Sequence, residues 1–142
     1  MAGRYASRLA WSLWVITLLL LPGVILEISF TRAGPGDLPF VVGFVAVQLG
    51  AATAGAIISS RLPGNAVGWI FLAIGLLLGL SFAAGAYADL AIDVGNGSLP
   101  GGRIAAWIGS WILIPAAFGL PIFLLLLFPD GRFISRRWRL AG

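Results

Sequence analysis

Arg61-Leu-Pro-Gly-Asn-Ala-Val-Gly-Trp69 is the one interruption in a long apolar middle section, and its reading decides the fold. Leu38 to Ser60 runs up to it and Val67 to Ala88 runs away from it, both without a charged residue. Pro63, Gly64 and Asn65 are turn formers, and Arg61 is a lone cation beside them. Two apolar runs of membrane-crossing length joined by such a break predict a tight hairpin between two spanning helices.

Working outward towards the amino terminus, Leu9 to Phe30 gives a further apolar run whose single charge is Glu27. At about 1.5 Å per residue it is long enough to cross a bilayer. A cleaved signal peptide is the competing reading. It would need a shorter apolar core and small residues at a cleavage site, and Gly23-Val-Ile-Leu-Glu-Ile-Ser29 lacks that pattern. Pro22 is expected to kink this first span. Thr31 to Asp37 reads as a short loop.

In the other direction, Asp89 to Gly102 reads as the longest loop, and Arg103 to Phe128 as a last span bent by Pro115 and Pro121. Residues 129–142 form a basic, aromatic tail. The expectation is therefore all-α: an integral membrane four-helix bundle with spans near 9–30, 38–60, 67–88 and 103–128. Composition agrees, at 60% hydrophobic and 10% charged against roughly 25% charged in ordinary soluble domains.

The arginines orient it. All nine cations are Arg. Arg4, Arg8, Arg61, Arg132, Arg136, Arg137 and Arg139 fall on the face shared by both termini and the hairpin, whereas Arg32 and Arg103 fall on the other. Positive residues stay cytoplasmic, so both termini and the hairpin are expected inside, in a bacterial cytoplasmic membrane. Trp11, Trp14 and Trp69 near inner ends, and Tyr87, Trp107 and Trp111 near outer ends, suit interfacial belts. Losing the first span to cleavage would leave the orientation of the rest unchanged.

The chemistry the chain offers is thin. It holds no His and no Cys, which excludes imidazole catalysis, thiolate chemistry, disulfides and the usual zinc sites. No cofactor and no enzymatic activity are expected. Asp89, Asp93 and Asn96 do not have the spacing of a calcium loop, and no Gly-rich phosphate cradle with its Lys exists. Glu27 is the single ionisable residue within a span. It lies near the outer helix end, as an interfacial carboxylate would, while a proton-coupled transport site remains the alternative.

Candidate packing residues are Gly50, Gly75, Gly79 and Gln48. Gly75, Gly79 and Ala83 recur every fourth residue, a spacing that lets helix backbones approach closely, within the chain or in a homodimer. Gln48, midway along its span, is expected to face another helix. Thr17, Thr53, Ser81 and Ser110 are expected to bond to their own helix backbone. Ser135-Arg-Arg-Trp-Arg139 just inside a span suits contact with lipid headgroups, and no nucleic-acid partner is expected.

Two stretches together resemble the amino-terminal membrane region of a group of bacterial sensor histidine kinases. The first is the hairpin with Arg61, Pro63, Gly64, Asn65, Gly68 and Trp69. The second is Leu124-Leu-Leu-Leu-Phe-Pro-Asp-Gly-Arg-Phe-Ile-Ser-Arg-Arg-Trp-Arg139, with Pro129, Asp130, Gly131 and Arg132. The resemblance covers roughly residues 40 to 140. It implies a sensor or input domain of a two-component system, acting on a downstream kinase module and response-regulator pathway. Such kinases go on to a phosphoacceptor helix and an ATP-binding domain. Gly142 comes just after the second motif, and there is no His to phosphorylate, so a fragmentary or detached input domain is expected. A small multi-pass transporter and a structural membrane subunit are the rival readings.

Overall fold

The computed structural model describes residues 2–30, 34, 36–95, 97 and 99–127. Among these, every regular element is helical, and four helical stretches are long and apolar enough to cross a membrane: Arg4–Leu26, Leu38–Arg61, Ala66–Val94 and Gly102–Phe123. The chain is a multi-pass, all-α membrane bundle.

The first span is two helices, α1 (Ala2–Leu19) and α2 (Leu21–Phe30). The interruption lies at Leu20, two residues before Pro22, within a stretch, Arg4–Leu26, that is long enough to cross as one span. Pro22 has no N–H to give the Leu18 carbonyl, and the turn at Leu20 tightens, its N–H shared between the Ile16 and Thr17 carbonyls at 3.1 and 3.3 Å. α1 also starts earlier than expected, taking the basic lead Arg4–Arg8 into the helix.

α3 (Leu38–Arg61) and α4 (Ala66–Asp89) form the central hairpin. α4 continues through a π-helical turn, Leu90–Val94, so the loop expected from Asp89 is shorter than the sequence suggested. Gly101, at φ 80°, adopts the left-handed conformation that an L side chain resists, and α5 (Gly102–Ile114) starts directly behind it. The last span passes through a second π turn at Pro115–Gly119 into α6 (Leu120–Leu127).

α4 is the hub: α1, α2, α3, α5 and α6 all pack on it, and α1 also packs on α3. Small residues allow this. Gly55 of α3 sits over the backbone of Gly68 and Leu72. A Cβ on Gly68 would come within 2.8 Å of the Ser59 backbone nitrogen, and one on Gly75 within 2.8 Å of the Gln48 carbonyl. Across the break in the first span, a Cβ on Gly23 would lie 2.7 Å from Cα of Ala83. Backbones this close gain dispersion contacts along their length, which is the main attraction between helices when the solvent is itself oily. Two apolar clusters fill the remainder. Ala10, Ala56 and Leu72 meet near the hairpin, and Ala51, Ile74, Leu78 and Ala116 meet deeper in. The first of these sets the amino-terminal half of α1 beside the hairpin.

Candidate functional site

The hairpin is a clasp built from its own sequence. The Leu62 N–H donates to the Ile58 carbonyl at 2.7 Å, ending α3, and the Asn65 N–H donates to the Leu62 carbonyl at 3.0 Å, closing the turn. The Asn65 side-chain oxygen accepts the Val67 N–H at 2.9 Å and so caps α4, a contact worth about 1 kcal/mol in helices generally. The Trp69 indole folds back and donates to the Pro63 carbonyl at 2.9 Å. Gly68 is buried against Ser59. Arg61 is exposed in the last turn of α3, where a cation complements the helix dipole. Gly64 is exposed, and a Cβ there would meet nothing within 4 Å. Pro63, Asn65, Gly68 and Trp69 thus cooperate in one clasp, Arg61 stands at its rim, and Gly64 makes no contact that requires glycine.

The candidate packing residues divide. Gly75 and Gly79 face inward: a Cβ on Gly79 would approach the Gln48 side-chain nitrogen at 2.5 Å and Cβ of Leu20 at 3.1 Å. Together with Ala83, they spend their face on α3, α1 and α2 of the same chain. Gly50 does not join them. It faces outward with nothing within 4 Å of a Cβ, because the packed stripe of α3 runs through Gln48, Ala52, Gly55 and Ser59, and Gly50 lies off that stripe.

Gln48 is fully buried between α1, α3 and α4. Its amide nitrogen donates to the Thr17 carbonyl at 3.5 Å, at the limit of a hydrogen bond, and its amide oxygen has no partner. The Thr17 carbonyl is shared, since it also accepts the Leu20 N–H at 3.3 Å. Ser59 likewise leaves its hydroxyl unpartnered.

Two hydroxyls depart from the expectation of local bonding. Thr17 and Ser110 do bond back, to Leu13 and Ala106 carbonyls. Thr53 instead accepts the Trp14 indole N–H at 3.0 Å, tying α1 to α3. Ser81 donates to the Gly109 carbonyl at 2.7 Å, tying α4 to α5. Gly109 makes this reachable, since its hydrogen leaves the α4 backbone close by. At the end of the bundle away from the hairpin, the Tyr87 hydroxyl donates to the Pro100 carbonyl at 2.7 Å. The sequence carries a hint of the first and last ties in the rings of Trp14 and Tyr87, whose polar tips seek partners. It carries none for Ser81.

These ties hold the half of the last span nearest Gly102. Beyond Ile114 the span changes character. Pro115 and Pro121 each lack an amide donor, and the Leu120 N–H reaches back five residues to the Pro115 carbonyl. Beside this turn, α3 and the last span part over α4, leaving an apolar groove of about 510 Å³. Phe40, Phe44 and Val47 form one wall, Ala116 and Pro121 the other, and Leu78 the floor. The exit motif Pro129, Asp130, Gly131 and Arg132 lies outside the described residues.

Among the described residues, no three carboxylates gather as a metal ligand set would. The arrangement offers packing, a clasp and a bend. Compared with known proteins, the chain matches no family model, no curated protein and no solved structure.

Proposed function

We propose that this chain is the membrane-embedded input domain of a bacterial two-component sensor, passing a change in helix position to a kinase module on the hairpin side. The supporting observation is the asymmetry of the last span. Its first half is tied to α4 by the Ser81–Gly109 and Tyr87–Pro100 hydrogen bonds, whereas its second half begins with the π turn Pro115–Gly119, carries Pro121 in α6, and borders an open groove. A helix fixed at one end and bent in the middle converts a small shift into a displacement at its other end. In this reading the hairpin clasp is the rigid reference against which that end moves. The chain itself carries no catalytic step, and the bacterial cytoplasmic membrane, with both termini inside, is its location by the arginine distribution. Transport through the bundle is disfavoured, because α4 fills the centre with buried Leu72, Ile74 and Leu78.

The test is a chimera that joins residues 1–139 to the cytoplasmic part of a sensor histidine kinase with a transcriptional reporter. Inserting one to four alanines after Leu127 rotates the outgoing helix by about 100° each. Output is expected to vary with insertion number and to recover near four, about one full turn. Output indifferent to register would defeat the proposal.

A further inference from the structure

We infer that the outward face of α1 is a binding site for one anionic phospholipid in the leaflet on the hairpin side. Two ridges run down this face with four-residue spacing, Ser7–Trp11–Val15 and Arg8–Ser12–Ile16, and these six residues line a groove of about 580 Å³. Arg4 lies one turn before Arg8 in the second ridge, and both arginines are exposed. The groove is therefore graded. Cations and hydroxyls occupy its upper part and branched apolar side chains its lower part, over roughly 18 Å from Arg4 to Ile16. A phospholipid has the same order, an anionic phosphate above acyl chains.

Charge supports this occupant. Like charges one turn apart repel, and cations near the start of a helix oppose its dipole. No Asp or Glu occurs before Glu27, and Asp37, Asp89 and Asp93 belong to the opposite end of the bundle. Nothing acidic among the described residues thus relieves Arg4 and Arg8, and an anionic headgroup would. A second copy of the chain set parallel about a twofold axis on this face would oppose arginine to arginine.

The wall of the groove is fixed from behind. The Trp11 ring packs edge-on to Trp14 at 5.5 Å between centroids, and Trp14 is held by its bond to Thr53 on α3. Trp11 is therefore positioned before a lipid arrives, which lowers the ordering cost of binding. The inference does not depend on the signalling reading.

The experiment reconstitutes the whole chain in nanodiscs of phosphatidylcholine and titrates in phosphatidylglycerol with brominated acyl chains, which quench nearby tryptophans. Saturable quenching is expected, with its main component absent in Trp11→Phe. Arg8→Gln, or Arg4→Gln should the first variant fold poorly, is expected to shift the midpoint about tenfold to higher lipid, as the loss of one charge-assisted contact does. Arg103→Gln at the opposite end is expected to leave the midpoint unchanged. Quenching that rises without saturation, or an equal shift in Arg103→Gln, would reduce the site to general surface attraction and overturn the inference. Displacement of the lipid by millimolar inorganic phosphate would also overturn it, by making a free anion the ligand.

Discussion

The Ser81 hydroxyl donates to the carbonyl of Gly109 at 2.7 Å, and this is the one buried side-chain bond between the hub helix and the last span among the described residues. Hydrogen bonds between membrane helices are worth about 0.6 kcal/mol on average and up to about 1.7. Ser81→Ala is expected to lower stability by about 1 kcal/mol in a reversible detergent unfolding titration. Spin labels on α5 and α4 should report a broader distance distribution in the same variant. An unbroadened distribution would show that backbone packing at Gly109 holds α5 without the hydroxyl.

Glycines that look alike in the sequence should differ when replaced. Gly75→Leu and Gly79→Leu drive a side chain into the α3 backbone or the Gln48 amide, and overpacking of that kind costs about 1–3 kcal/mol or more. Gly50→Leu meets nothing and should be neutral. Thermal stability of purified variants, followed by size-exclusion retention in detergent, separates the two outcomes.

The hairpin clasp predicts a graded series. Asn65→Ala removes the cap on α4, and Trp69→Phe removes the donor to the Pro63 carbonyl; each is expected to cost about 1 kcal/mol. Gly64→Ala should change nothing, because it neither holds a left-handed conformation nor packs. Limited proteolysis at the turn offers a direct readout: faster cleavage in the first two variants and wild-type cleavage in the third.

Gln48 should be replaceable by an apolar residue of similar size. Its single bond is long, at 3.5 Å, and its oxygen is unpartnered, a condition that costs about 1–3 kcal/mol in buried sites. Thr17 keeps a donor in the Leu20 N–H when the amide is gone. Gln48→Met is therefore expected to leave stability unchanged or raise it, as read by denaturation midpoint, whereas Gln48→Ala should destabilise by opening a cavity.

The spans and the hairpin could be read from the chain because both depend on local properties. Apolar length fixes where a helix can cross, and Pro63 and Asn65 fix where it turns. The boundaries were less legible. Hydropathy ends the third span at Ala88, yet Leu90–Val94 extends it as a π turn whose bonds have no compositional signature. Pro22 marks that the first span is interrupted, but not that the interruption falls at Leu20. Which glycines pack was half legible: four-residue spacing selects Gly75 and Gly79 as a face, but only the arrangement of all the helices shows that Gly50 lies off the stripe and that Gly23 meets Ala83. Ser81 and Thr53 could bond locally as readily as across helices, so their partners depend on helix rotation, which an evenly apolar sequence does not encode. The groove beside Pro115–Gly119 is a gap between three elements and has no single-segment signal at all.

Since α1, α2, α3, α5 and α6 all pack on α4, the bundle can close only once its third span has emerged. Until α4 is inserted, Gly23 of the first span and Gly55 of α3 have nothing to close on, so both must wait for the third span to cover them. Assembly in the bilayer therefore hinges on the arrival of one segment, and the first two spans stay half-packed until it comes.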